Sequence, residues 1–146
     1  MKIMARELLN ENHLCVLATC SNNLPNSSLM HYLYDDIDRN LFMLTLSRSV
    51  KHHNIMANPQ VSLLIDTREN APQKGMNIMA LTVYGKAEIV KDSERHQALV
   101  GRLVAKHRVL AEFANDSQCL VIQVRIEKMM LLDGVSGKSM FDTADT

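Results

Sequence analysis

Apolar and polar residues alternate along much of this chain with a period of two. The clearest run is Ile78–Val90, where Met79, Leu81, Val83, Ala87 and Ile89 oppose Thr82, Tyr84, Lys86 and Glu88. That pattern predicts a long strand with one buried face. Gln118–Leu132 carries Leu120, Ile122, Val124 and Ile126 on one side and predicts the last strand. Leu41–Leu46 and Gln60–Asp66 predict two shorter ones. His13–Cys20 is apolar on both faces, so it predicts a strand buried on both sides. Ser21–Pro25 reads as a turn by composition, Asn26–Tyr34 as the strand after it, and Asp35–Asn40 as a polar turn.

Helical spacing occurs in three places. Met1–Glu11 puts Met4, Leu8 and Leu9 on one side. Ser49 can cap a helix over Val50–Ala57, and Asn58-Pro59 ends it, because a residue before proline avoids helical geometry. Asp92 or Ser93 caps a longer helix to Phe113, with Leu99, Leu103, Val104 and Leu110 in its apolar stripe. Thr67–Asn77 holds Pro72 and Gly75 and predicts a loop. The tail from Asp133, rich in Gly, Ser and Asp, is expected to be mobile. These strands come in runs without regular β–α alternation. That disfavours a doubly wound parallel sheet and favours a mainly β fold, an antiparallel barrel with attached helices. The expectation is one domain over residues 1–146, with 133–146 as its tail.

Charge narrows the function. Lys+Arg and Asp+Glu are 16 each, so no basic excess serves a general nucleic-acid binder or an anionic membrane surface. No run approaches the ~20 apolar residues of a membrane span. Met1–Asn12 has Lys2, Arg6 and Glu7 and no apolar signal core. The cysteines, Cys15, Cys20 and Cys119, are odd in number and lack C-x-x-C spacing, so neither a disulfide framework nor a zinc ribbon is indicated. A cytoplasmic protein is the expectation.

Most chemical motifs fail on inspection. "DGVSGKSMF" has Leu132 where a phosphate-binding loop needs glycine. There is no G-x-G-x-x-G and no G-x-S-x-G. Of the six histidines, none are spaced as H-x-x-x-H. His52 and His53 point about 100° apart on a helix, and His96 and His107 fall about 16 Å apart along one. Metal binding is not indicated. The turn Ser47-Arg48-Ser49 with Lys51 remains. Helix-start amides, hydroxyls and cations make a seat for a phosphate; the same residues also describe a capped helix with solvated charges. Leu29, Met30, Leu44 and Leu46 supply apolar surface in the adjoining strands, which suits a ligand with a charged tail and a flat ring.

Three stretches, "LATCSNNLPNSSLMHYLYDD", "LFMLTLSRSVKHHNIMANPQVSLLID" and "LTVYGKAEIV", occur in the order and spacing of the FMN-binding split-barrel family, which includes pyridoxamine 5′-phosphate oxidase. The chain resembles that family from about Leu14 to Val90. The resemblance implies a six-stranded antiparallel split β-barrel with FMN as cofactor. It implies that Ser49 and Lys51 hold the FMN phosphate, with Ser47 and Arg48 beside them. Thr45 and Leu46 fall where the strand passes the ribityl chain or ring, and Ser28, Leu29 and Met30 where backbone groups line the flavin. His31, next along, is the one candidate for proton transfer. Three positions depart from the family pattern: Val50 and Ser28 where cations are common, and Ala80 where a glutamine reaches the flavin.

The resemblance further implies a homodimer with two flavin sites at its interface. It implies an oxidoreductase acting on an unidentified small molecule, with a small-molecule substrate or an electron donor such as NAD(P)H. The chain has no Trp and lacks the C-terminal signature of true pyridoxamine phosphate oxidases, which disfavours vitamin B6 synthesis. Haem-degrading relatives use a histidine near the C-terminus, whereas the last one here is His107. Deazaflavin-dependent reduction on this fold stays open, as do a non-enzymatic FMN carrier, an electron-transfer or sensor protein, and a fold relative that binds another ligand.

Overall fold

The computed structural model of the chain describes residues 2–69 and 77–134, and the backbone of 137–142. Helix α1 (Lys2–Glu11) precedes strands β1 (Leu14–Ser21), β2 (Leu24–His31), β3 (Leu33–Asp35) and β4 (Asn40–Leu46). Then come α2 (Val50–Ala57), β5 (Gln60–Asp66), β6 (Met79–Ile89), α3 (Ser93–Lys106) and, after a 3-10 turn at Arg108–Leu110, α4 (Ala111–Ala114). The chain continues through β7 (Cys119–Asp133) and β8 (Gly137–Asp142).

The strands make one antiparallel 8-stranded sheet in the order β2-β1-β5-β6-β7-β4-β3, with β8 beside β7. Strands β2 and β3 lie at its two ends, yet only Tyr32 separates them in the chain. A sheet whose ends are covalent neighbours must curl round on itself. Among the described residues no ladder closes that ring, so the barrel is split, in agreement with the split-barrel expectation. The opening runs between β2, which among the described residues pairs only with β1, and the second half of β4, whose residues after Phe42 extend beyond β3.

Several boundaries differ from the sequence expectation, each for a visible reason. Asn22 and Asn23 both have positive φ, 52° and 62°, and Ser21 pairs with Leu24. The turn is therefore the tight two-residue kind that matches strand twist, and Leu24 and Pro25 belong to β2. Proline is tolerated there because β2 is an edge strand. The strand expected to run to Tyr34 breaks at Tyr32. That residue is fully buried, its amide donates to the His13 carbonyl (3.3 Å) and its hydroxyl to the Leu9 carbonyl (2.8 Å). With β3 and β8 added, the sheet exceeds the expected six strands. Part of the segment expected to be a mobile tail is thus β8, paired with β7; residues 135–136 and 143–146 lie outside the described residues, as do residues 70–76 of the expected loop.

Strand β1 buries Cys15, Leu17 and Thr19 and leaves Leu14, Val16 and Ala18 half-buried, so only one of its faces is fully covered. Helix α3 stops at Lys106 rather than Phe113 because His107 takes φ −128°, ψ 86°. Two apolar clusters hold the fold. The larger fills the barrel and takes Ala5, Leu8 and Leu9 from α1. The smaller sets Leu99 and Leu103 of α3 on Phe42, Leu44 and Val121, on the other face of β4 and β7. Among the described residues no helix is long and apolar enough to cross a membrane.

Candidate functional site

The turn from β4 into α2 is held by short-range bonds. The Ser47 amide donates to the Gln118 carbonyl (2.8 Å) and the Ser49 amide to the Leu46 carbonyl (3.1 Å). Ser49 caps α2, its Oγ accepting from the His52 amide at 3.2 Å. Thr45, almost wholly buried, places Oγ1 2.8 Å from Ser49 Oγ. When Thr45 donates in that pair, the Ser49 hydroxyl proton is free to point outward, so Ser49 can give a hydrogen bond to an anion. Arg48 is exposed and Lys51 half-buried. Arg48 sits in the left-handed region, φ 71°, and its amide donates to His52 Nδ1 at 3.1 Å.

Helix α2 lies on the sheet face that carries Ser28. Asn54 Nδ2 donates to Thr19 Oγ1 (3.0 Å) and Asn58 Nδ2 to the Cys20 carbonyl (3.0 Å). Thr19 opposes Asn26, and Leu17 opposes Ser28. Because side chains alternate, Asn26, Ser28 and Met30 share the face that α2 covers, whereas Leu29 points the other way and is 70% exposed. The expected residues thus collect on the two lips of the split barrel: Ser28, Leu29, Met30 and His31 on the β2 edge, and Thr45, Leu46, Ser47, Arg48, Ser49 and Lys51 on β4 and the turn after it. As an edge strand, β2 turns part of its backbone N–H and C=O groups away from β1. This is the geometry that backbone-mediated contact with a ring requires.

Leu29 floors a second feature. With Leu14, Val16 and Leu64 it lines a shallow cleft of about 340 Å³ on the outer sheet face, rimmed by Asn12, Asp66, Arg68 and Glu69. Arg68 is paired with Asp66 at 3.1 Å. The hydroxyls, cations and flanking apolar positions fit a phosphate-bearing ligand. Val50, 61% exposed, brings no charge to it, and Ala80 lies on β6 opposite Asp66 and Leu132, away from the turn.

His31 is not isolated. Its ring lies 5.0 Å from that of His107, and the His13 ring lies 5.7 Å from His107 on another side. His107 Nε2 is 2.7 Å from the Tyr32 carbonyl. Burial pushes the His107 imidazole below the ordinary histidine range; the Tyr32 carbonyl opposes that shift, while Lys106, His31 and His13 add to it. Sequence spacing missed this cluster because its members come from three separate elements. Among the described residues no group of three or more His, Cys, Asp and Glu is arranged to hold a metal ion. Cys15 is buried, which pushes its thiol up to about 12 and makes it a poor nucleophile.

A family model for pyridoxamine 5′-phosphate oxidase matches residues 1–132. No curated protein sequence matches the chain. Solved structures with the same fold include an FAD-binding protein from Mesorhizobium loti, at 17% identity and a TM-score of 0.77, covering 92% of this chain and 96% of that one. Another is the haem storage protein HutZ from Vibrio cholerae, at 18% identity and a TM-score of 0.72, covering 97% and 93%. General Stress Protein 26 from Bacillus anthracis, at 20% identity and a TM-score of 0.73, covers 97% and 99%. Identities this low speak for the fold, while the family match spans most of the sequence: the chain belongs to the pyridoxamine 5′-phosphate oxidase family.

Proposed function

We propose that this protein binds FMN at the split of its barrel and acts as an oxidoreductase on a small molecule. The observation that carries the reading is the placement of Thr45, Ser47, Ser49 and Lys51 at one turn, on the lip facing the open β2 edge. Ser49 would donate its hydroxyl to the phosphate, and Lys51 and Arg48 would supply charge. Free backbone groups near Ser28 and Met30 would line the ring. Bound FMN would supply the hydride or electron chemistry; the chain binds, orients and shields it. A donor such as NAD(P)H and a small organic substrate would be its partners.

The outer sheet face supports a homodimer. Leu29, Val16, Leu64, Thr82 and Met130 stand in one cross-strand row on β2, β1, β5, β6 and β7. Its apolar members are exposed or half-buried, and a second copy covering them would also wall the neighbouring flavin site.

Colour is the test. Purified protein absorbs in the flavin bands and releases FMN on heating. A colourless preparation that also fails to take up added FMN overturns the reading. A second reading, haem in place of flavin, is favoured by the uncharged Val50 in the phosphate turn and by the haem storage protein that shares this fold. A Soret band without flavin bands selects it. If FMN binds, the rate at which NAD(P)H reduces it separates an enzyme from a carrier.

A further inference from the structure

Three histidines far apart in sequence meet: the His13 and His31 rings pack against His107, whose Nε2 reaches the buried Tyr32 carbonyl. His13 lies between α1 and β1, His31 ends β2, and His107 follows the last residue of α3. The focus is Tyr32, the single residue between β2 and β3. A carbonyl only accepts, so His107 Nε2 carries the proton in the 2.7 Å contact with Tyr32. The neutral ring therefore keeps its lone pair on Nδ1, which is where a second proton would go.

That second proton is opposed by burial and by Lys106, His31 and His13. Lys106 Nζ already stands 5.0 Å above the Tyr32 ring. The His31 and His13 rings lie 5.0 and 5.7 Å from His107. The side chains acting on His107 come from α3 (Lys106), from β2 (His31) and from the α1–β1 connection (His13), with no carboxylate among them. Asp35 is paired with Arg102 of α3 at 3.4 Å, about one and a half turns earlier along the helix. The Tyr32 carbonyl alone favours the cation, and His107 is only 6% exposed. A buried imidazolium beside Lys106, with no carboxylate to pair it, gains by moving into water.

We propose that His13, His31 and His107 form an acid-sensitive latch, which clamps the end of α3 to the Tyr32 junction and opens when His107 is protonated. The sign is fixed by linkage. The folded protein holds His107 below the unfolded value of 6.5. The clamp therefore contributes fully above that value, and its contribution is lost as pH falls through the folded value. The latch abuts the edge strand that carries Ser28–His31, so its opening loosens that edge. None of this depends on which cofactor the protein takes.

NMR titration of the whole labelled chain from pH 8 to 5 tests the latch. The ring signals of His107 and the backbone amides of Tyr32 and Leu33 shift with one shared midpoint. Exchange of the Tyr32 amide rises at least tenfold beyond its intrinsic pH dependence. His107→Gln keeps a donor near the Nε2 position without titrating, and in that variant the same amides stay flat. Amides that do not move before global unfolding, or that move equally in His107→Gln, overturn the proposal. Should that variant not fold, His31→Gln carries the test: loss of a neighbouring imidazole raises the midpoint, and an unchanged midpoint overturns the latch.

Discussion

Thr45 Oγ1 and Ser49 Oγ lie 2.8 Å apart, joining the end of β4 to the cap of α2. Ser49 therefore serves two structures at once, because the same oxygen accepts from the His52 amide. Ser49→Ala removes the cap and strands the buried Thr45 hydroxyl. An N-cap loss costs about 1 kcal/mol, which lowers the melting temperature by roughly 2–4 °C in a chain of this size. If Ser49 also donates to the FMN phosphate, the variant loses FMN affinity and keeps its affinity for riboflavin, which has no phosphate. Calorimetry with both ligands checks this. Equal losses for the two would place Ser49 in the fold alone.

Among the described residues Lys51 makes no side-chain hydrogen bond or ion pair, and it is half-buried beside the cap. Lys51→Ala should leave the melting temperature within about 1 °C, as surface changes do, while weakening FMN binding by about 1.5–3 kcal/mol, the range of a charge-assisted hydrogen bond. Unchanged FMN affinity would remove Lys51 from the phosphate seat.

From the sequence His52 reads only as one of two adjacent histidines on a helix. Its Nδ1 in fact accepts the Arg48 amide at 3.1 Å, and Arg48 sits at φ 71°, a region that costs a non-glycine residue roughly 1–2 kcal/mol. His52→Leu leaves that amide without its acceptor and should lower stability by about 1 kcal/mol. His52→Asn can place an oxygen near the Nδ1 position and should recover most of the loss. Urea unfolding of the two variants decides it; an Asn variant no better than Leu would show that packing, not the bond, matters.

The two longest strands of this barrel could be read from period-two patterning because each is long enough to show it, whereas the three-residue β3 is not. Ile78–Val90 and Gln118–Leu132 come within two residues of β6 and β7 at each end. The cap at Ser49 and the stop at Asn58-Pro59 were also legible, since both act through local backbone chemistry. What escaped was long-range. Tyr32 reads as one more strand residue until α1 supplies the Leu9 carbonyl for its hydroxyl. His107 reads as mid-helix until that same Tyr32 offers its carbonyl. The candidate site residues were proposed from ordered motifs, but their division between the two lips of the split needed the topology.

Tyr32 should be the most sensitive aromatic residue. Tyr32→Phe leaves the Leu9 carbonyl without its 2.8 Å donor inside the protein. An unsatisfied buried acceptor costs about 1–3 kcal/mol. The loss should appear as early fraying of α1 in hydrogen exchange, at Leu8 and Leu9, before the sheet opens. Uniform loss of protection across β5 and β6 instead would mean that the hydroxyl steadies the barrel and not the helix.

Gly85 explains part of the "YGKAEIV" motif in physical terms. The β6–β7 register slips between Tyr84 and Gly85, and the bulge brings the strands so close that a Cβ on Gly85 would stand 2.3 Å from the Arg125 carbonyl oxygen and 2.9 Å from Val124 Cγ1. Backbone cannot yield as a flexible side chain can. Gly85→Ala therefore forces β6 and β7 apart at the bulge, where Lys86 pairs with Arg125 and Ala87 with Val124. Overpacking of this kind costs about 1–3 kcal/mol, and here the clash is with main chain, so the upper end is expected. Ala87 and Val124 both face the barrel interior, so the strain should also lower hydrogen-exchange protection on β6 beyond the bulge. A Gly85→Ala variant that melts with the parent protein would show that the two strands do not approach as closely as this register requires.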